Sequence, residues 1–227
     1  AYYKQSMPDN KQPLKYRQMP TGAVKANNAG FGAFYTTLTY SPEWDAHWPI
    51  GPDADIVVTF DRLPVRLLFW HGTGYGAVWS TENGKLMADQ SLERVGGDKS
   101  PWGCSEHMSD KHCRYSHVRL IANNDARAVV HWRYAISDIK YNIFGMRDNA
   151  QSFGEWADEY YYIYPDGVAT RYQKLWTDHL RHEWQETIVL HQPGTRPEDN
   201  IELDAMVFAN LDGESRVYSW RQRPTRR

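Results

Sequence analysis

The sequence predicts an all-β protein built from antiparallel sheets, and three observations lead there. Strand-like runs of apolar, β-branched and aromatic residues recur at short intervals, turn-forming clusters separate them, and no helical periodicity survives beyond about two turns apart from a stretch near 176–183. The aromatic content of 14%, with 10 Trp and 15 Tyr, agrees with them, since these residue types suit a pleated, half-buried surface. Strand number and spacing fit the blades of a β-propeller, with a β-sandwich as the alternative.

In chain order, residues 1–30 are polar and rich in Pro, Asn and Gly, and read as an extended segment on the surface of a single domain over 1–227. The strand-like runs that follow are AFYTTLTY (33–40), ADIVVTF (54–60), VRLLFW (65–70) and AVWSTE (77–82), then HVRLIA (117–122) and RAVVHWRYAI (127–136). The last three are EYYYIY (159–164), VATRYQKLW (168–176) and EWQETIVL (183–190). Turns are expected at Asp61-Arg62-Leu63-Pro64, Asn83-Gly84, Asn123-Asn124-Asp125 and Asp166-Gly167.

Composition narrows function. A hydrophobic content of 41% over 227 residues supports a packed core. The formal net charge of −2 argues against general nucleic-acid binding, which draws on many unopposed Lys and Arg. No apolar run reaches the ~18 residues of a membrane span, and the first residues lack the basic-then-apolar order of a signal peptide. An excess of Trp and Tyr beyond core needs points to a cleft where flat rings stack on sugars, with His71, Tyr75, Trp79 and Trp156 as candidates.

Two cysteines, Cys104 and Cys113, bracket His107 and His112 in GCSEHMSDKHCRYSH. Two thiolates and two imidazoles this close offer a structural zinc site, although the spacing matches no standard finger; loop thiols or a disulfide are the alternatives.

The hairpin SHVRLIANNDARAVVHW carries the chemistry. Side chains alternate across a strand, so Val118, Leu120, Ala122, Ala128, Val130 and Trp132 form one apolar face. His117, Arg119, Arg127, His131 and Arg133 fall on the other. A three-residue loop at 123–125 sets His117 opposite His131, with Cβ atoms ~5 Å apart. Slipping the pairing by two residues keeps both on one face and moves them diagonally apart. In DEYYYIYPDGVATRYQ, a two-residue turn at Asp166-Gly167 places Tyr162 opposite Arg171 and Tyr160 opposite Gln173. A phenol, a guanidinium and two imidazoles suit elimination next to a carboxylate. Arginine neutralises the acid, and histidine and tyrosine move protons. Hydrolysis by two carboxylates is the competing chemistry.

The runs YSPEWDAHW, GCSEHMSDKHCRYSHVRLIANNDARAVVHWRYA, DEYYYIYPDGVATRYQ and HEWQETIVLHQPGTRPEDNIE resemble the long motifs of polysaccharide lyases of the ulvan-lyase type, over about residues 30 to 210. The resemblance implies a β-propeller, a secreted or periplasmic location, and β-elimination at a uronic acid beside a sulfated rhamnose or similar sugar, with no cofactor needed for the chemistry. It implies His117 or His131 and Tyr160 or Tyr162 as acid and base, and Arg171 as the neutralising cation; Arg119 and Arg133 are added as substrate-binding neighbours. Seven four-stranded blades exceed what these runs supply, so the resemblance further implies a portion of a longer propeller, or one closed by a second chain. The expected partner is an anionic polysaccharide, with neither nucleic acid nor membrane. A glycan-binding module without catalysis is the alternative.

Overall fold

The computed structural model describes residues 30–39, 42–45, 54–88, 92–94, 102, 104–146, 153–178, 182–183 and 188–221. Apart from Gly30, the expected surface segment over 1–30 lies outside the described residues. The protein is all-β and antiparallel, with one helical turn at Pro42–Asp45 and three short 3-10 turns among the described residues. No helix among the described residues is long and apolar enough to cross a membrane. The helical pattern near 176–183 is overridden, because Trp176 ends one strand and His182–Glu183 form another.

Contacts divide the chain into two compact units, within 1–186 and 187–227. The first contains a five-stranded meander of β1 (Gly32–Thr36), β2 (Asp55–Thr59), β3 (Arg66–Phe69), β4 (Ala77–Ser80) and β5 (Leu86–Ala88), in sheet order β1-β2-β3-β4-β5. β6 (Glu93–Arg94) and β11 (His182–Glu183) pair as a two-stranded ribbon. The second large sheet is a four-stranded meander of β7 (His117–Asn124), β8 (Arg127–Ala135), β9 (Trp156–Ile163) and β10 (Ala169–Trp176). In the second unit, β12 (Asp204–Ala209) and β13 (Ser215–Ser219) form a hairpin whose Met206, Val207, Phe208, Val217 and Tyr218 are exposed.

The two large sheets share one core. Ile56, Val58, Leu67, Phe69 and Ala77 from the first join Ala128, Val130, Trp132, Tyr134, Ala157, Tyr161 and Ile163 from the second in a single buried cluster. Period-2 alternation on β8 and β9 aims these residues inward. The loop joining β3 to β4 is bound to the second sheet by hydrogen bonds. The Trp132 indole N–H donates to the Gly74 carbonyl at 3.0 Å, and His107 Nε2 donates to the Thr73 carbonyl at 3.2 Å.

Two registers differ from the sequence expectation. At the β7–β8 turn, Asn124 pairs with Arg127, and the Asn124 carboxamide oxygen accepts the backbone N–H groups of Ala126 and Arg127 at 3.0 and 3.1 Å. A bulge at Ile121 then lies between the Leu120–Val130 and Ala122–Val129 pairs. His117 therefore faces Arg133 and Arg119 faces His131, leaving the two histidines diagonal on one face. At the β9–β10 turn, Tyr164 and Val168 close a three-residue loop in which Gly167 takes a φ of 88°. Tyr162 therefore faces Thr170, Tyr161 faces Arg171 and Tyr160 faces Tyr172. That one-residue slip moves Arg171 to the core side.

Candidate functional site

The register of the four-stranded sheet writes two rows across its outer face. One is Arg119, His131, Tyr160, Tyr172; the next is His117, Arg133, Asp158, Lys174. Trp156 faces Trp176 at the end of the same face. Four strands thus bring two imidazoles, three cations, a carboxylate and four aromatic rings to one surface.

Asp158 organises it. His131 Nε2 lies 2.7 Å from Asp158 Oδ1, Arg133 Nη1 donates to both carboxylate oxygens at 2.8 and 3.0 Å, and the Trp176 indole donates to Oδ2 at 2.7 Å. Burial pushes the Asp158 pKa up, but hydrogen bonds from Trp176 and His131 and the Arg133 charge outweigh it, and the carboxyl stays below its ordinary value. Arg119 Nε donates to His131 Nδ1 at 3.0 Å. Guanidinium can only donate, so Nδ1 accepts and His131 is a neutral imidazole whose Nε2–H donates to Asp158. Tyr160 stacks on this ring at 4.5 Å and 17°, with Tyr172 6.2 Å beyond Tyr160. Arg133 sits 5.2 Å over the Trp156 ring, and the Lys174 ammonium 3.9 Å over Trp176. Tyr172 is 57% and Trp176 47% exposed, so the rings reach solvent.

The expected neutralising cation, Arg171, is elsewhere. It lies on the core face with Nε 3.5 Å from Glu159 Oε2, and its side chain is 13% exposed. Glu159 is fully buried and accepts from the Tyr134 hydroxyl at 2.6 Å, the Tyr161 hydroxyl at 3.1 Å and Gln173 at 3.0 Å. Desolvation and the Glu159 charge push the Tyr134 pKa far up. Arg171 therefore belongs to a buried structural cluster, whereas Arg119 and Arg133 are guanidinium groups of the outer face, as is Arg127 over Tyr162. Tyr162 is on the outer face one row from Tyr160, opposite Val129 and Thr170.

The remaining sugar-stacking candidates sit in the first sheet's surroundings. His71 is 1% exposed; its backbone N–H and Nδ1 both engage Asp55, at 2.8 and 2.9 Å, and Asp55 also accepts the Leu38 N–H at 2.7 Å. Tyr75 is buried with φ at 64°, and burial raises its pKa. Trp79 stacks on Phe60 at 5.9 Å against the core. These three are packing residues, and only Trp156 joins the outer face.

The expected zinc ligands disperse. Cys104 is exposed and Cys113 donates its thiol to the His71 carbonyl at 3.2 Å, with no disulfide between them. His107 is buried edge-on against Trp132 at 4.6 Å, where desolvation lowers its pKa to about 3. His112 stacks on Tyr141 at 5.9 Å. Cys113, His107 and His112 each engage a different neighbour, and no group of three or more His, Cys, Asp or Glu among the described residues is placed to hold a metal ion.

Asp158, Tyr172, Lys174 and Trp176 are site residues that sequence reasoning missed. Their signal was the alternation Thr170, Tyr172, Lys174, Trp176, which a correct turn length assigns to the face of His131. No family model, curated protein or solved structure matches this chain.

Proposed function

We propose that the chain is part of a polysaccharide lyase that cleaves a uronic-acid-containing, ulvan-like sulfated glycan by β-elimination. The observation that carries this reading is the row Arg119, His131, Tyr160 beside Arg133, which collects guanidinium, imidazole and phenol on one open sheet face. With a net charge of −2 for the whole chain, a local excess of cations marks a surface for an anionic ligand.

The substrate carboxylate lies against Arg119 and Arg133, which stabilise the charge that builds up when the proton on the adjacent carbon leaves. Tyr160, reacting as the phenolate, takes that proton and becomes the phenol, because the Nδ1 lone pair of His131 already accepts from Arg119. The carbon's electron pair forms the new C=C bond, the glycosidic C–O bond breaks, and exposed His117 in the next row protonates the departing oxygen. No cofactor enters these steps. Trp156, Tyr172 and Trp176 supply stacking surfaces for sugar rings.

Two antiparallel meanders, stacked over one core in chain order, support a propeller in which they are neighbouring blades. The hairpin of the second unit is apolar and exposed, as a strand pair that takes up further strands would be. Action on an extracellular glycan goes with secretion or a periplasmic location.

One observation favours a second reading, a glycan-binding module without catalysis: both ring nitrogens of His131 are committed to hydrogen bonds. Absorbance of the unsaturated uronate product separates the two. On a panel of uronate polysaccharides including ulvan, the lyase reading expects a rise that disappears in Tyr160→Phe and Arg119→Ala. Glycan binding with no absorbance rise on any substrate would establish the binding module instead.

A further inference from the structure

The outer face of the second sheet continues onto two loops, around residues 110–115 and 138–142. In the first, the buried Asp110 carboxylate accepts the backbone N–H groups of Arg114 at 2.9 Å and Tyr115 at 2.7 Å. In the second, buried Asp138 accepts those of Lys140 at 2.8 Å and Asn142 at 3.1 Å, and the Asn142 amide at 3.0 Å. Both carboxylates accept backbone donors of their own loops and so shape them. The Tyr115 hydroxyl donates to the Tyr141 carbonyl at 3.1 Å and ties one loop to the other.

What these loops display is one ring with two cationic or titratable neighbours. Tyr141 holds a φ of 66°, a conformation that a non-glycine residue adopts only when its surroundings impose it. The Arg114 guanidinium carbon lies 4.1 Å over the Tyr141 ring, and His112 stacks on that ring at 5.9 Å and 30°. Nearby on the same loop, Lys140 sits 2.9 Å over Trp102. A path leads back to the sheet through the hydrogen bond from Tyr115 to Tyr141: Tyr115 meets Trp156 edge-on at 6.1 Å, and Trp156 carries Arg133 at 5.2 Å. Among the described residues no carboxylate forms an ion pair with Arg114.

We infer that the Tyr141, Arg114 and His112 platform is a second binding subsite, for an acidic sugar unit displaced along the same chain from the unit held by Arg119 and Arg133. The guanidinium pairs the carboxylate or sulfate, and the fixed loops hold aromatic faces against the sugar rings. This rests on the reading of the sheet face as a glycan site, and it adds chain length to the specificity. Polymers that reach both places bind more tightly than short oligosaccharides that fill one.

The test is Arg114→Gln, which keeps the backbone N–H that Asp110 holds; its thermal midpoint is compared with the wild type to establish folding. Retardation in native gels containing ulvan or another uronate polysaccharide, with dextran as the neutral control, is expected to weaken roughly five- to tenfold in this variant. On short uronate oligosaccharides the variant and the wild type are expected to behave alike. Loss of retardation without any absorbance change in the wild type would sustain the subsite and remove the lyase reading. Equal retardation of variant and wild type by the polymers, equal weakening on short and long substrates, or no retardation of the wild type by any acidic polysaccharide would each overturn the proposal.

Discussion

Asp158 and Glu159 are neighbours in sequence, both buried, and face opposite ways from β9. Asp158 turns outward and gathers His131, Arg133 and Trp176; Glu159 turns inward and gathers Tyr134, Tyr161, Gln173 and Arg171. Each is a carboxylate surrounded by aromatic and cationic donors, and the two inventories are nearly interchangeable on paper. What separates them is the medium on the far side. Beyond Glu159 lies the core shared by two sheets, so its partners serve to keep a buried charge tolerable. Beyond Asp158 lie rings and cations that reach solvent, so Arg133 and Trp176 remain available to a ligand, while His131 is itself buried. Function is read here from the outlook of a cluster, not from its composition.

The sharpest way to break this contrast is Glu159→Ala, which strands two hydroxyls, an amide and a guanidinium around an empty acceptor. A loss of about 3–5 kcal/mol in urea unfolding is expected, enough to threaten folding altogether. Asp158→Asn should cost less, about 1–3 kcal/mol, because its partners can turn to water. Its pH dependence is the more telling measurement. The folded-state pKa of Asp158 is depressed, so its contribution is fully present above the ordinary carboxylate value of about 3.9 and is lost as pH falls through the lower folded value. The stability gap between wild type and Asp158→Asn should therefore narrow below about pH 4; a gap that stays constant down to pH 2 would show that the carboxylate is not held in its charged form.

The two arginines give the most discriminating pair. Arg171→Ala should lower stability by about 2–4 kcal/mol through the Glu159 charge that it leaves, and should affect glycan retardation only through the fraction unfolded. Arg119→Ala should change stability by less than about 1 kcal/mol while weakening retardation by acidic glycans severalfold. If Arg171→Ala were as stable as the wild type and lost glycan binding, the assignment of inner and outer clusters would be reversed.

The all-β class and eight of the strand positions were legible from alternation and turn residues, because β8 and β9 pack one face and the apolar residues had to recur at period 2. Arg119, His131 and Arg133 were legible for the same reason. The relations between strands were not. Whether Asp166-Gly167 closes a loop of two residues or three decides which side Arg171 takes, and both loops are compatible with those residues. For the zinc reading, what the sequence lacked was of a different kind. Spacing in Cys104, His107, His112 and Cys113 cannot reveal that His107 fits against Trp132 and Tyr134, a burial supplied by partners distant in sequence. The short strands β5 and β6 carried too few residues for alternation to declare itself.

The bulge at Ile121 has a consequence for how this hairpin can vary over generations. Asn123 must remain near the first sheet, where its amide bonds both the N–H and the carbonyl of Ala33, at 3.0 and 2.8 Å, and Arg119 must remain beside His131. The extra residue between them reconciles the two demands. Ile121 is thus the position in β7 whose codon can be lost while every cross-strand pair is kept, since the strand simply closes into regular alternation. A codon lost instead at Val118 would draw Arg119 and Leu120 one place along and exchange the faces they present. Insertions and deletions, more than point substitutions, are what this surface has to be shielded from, and the bulge is the slack that absorbs one of them.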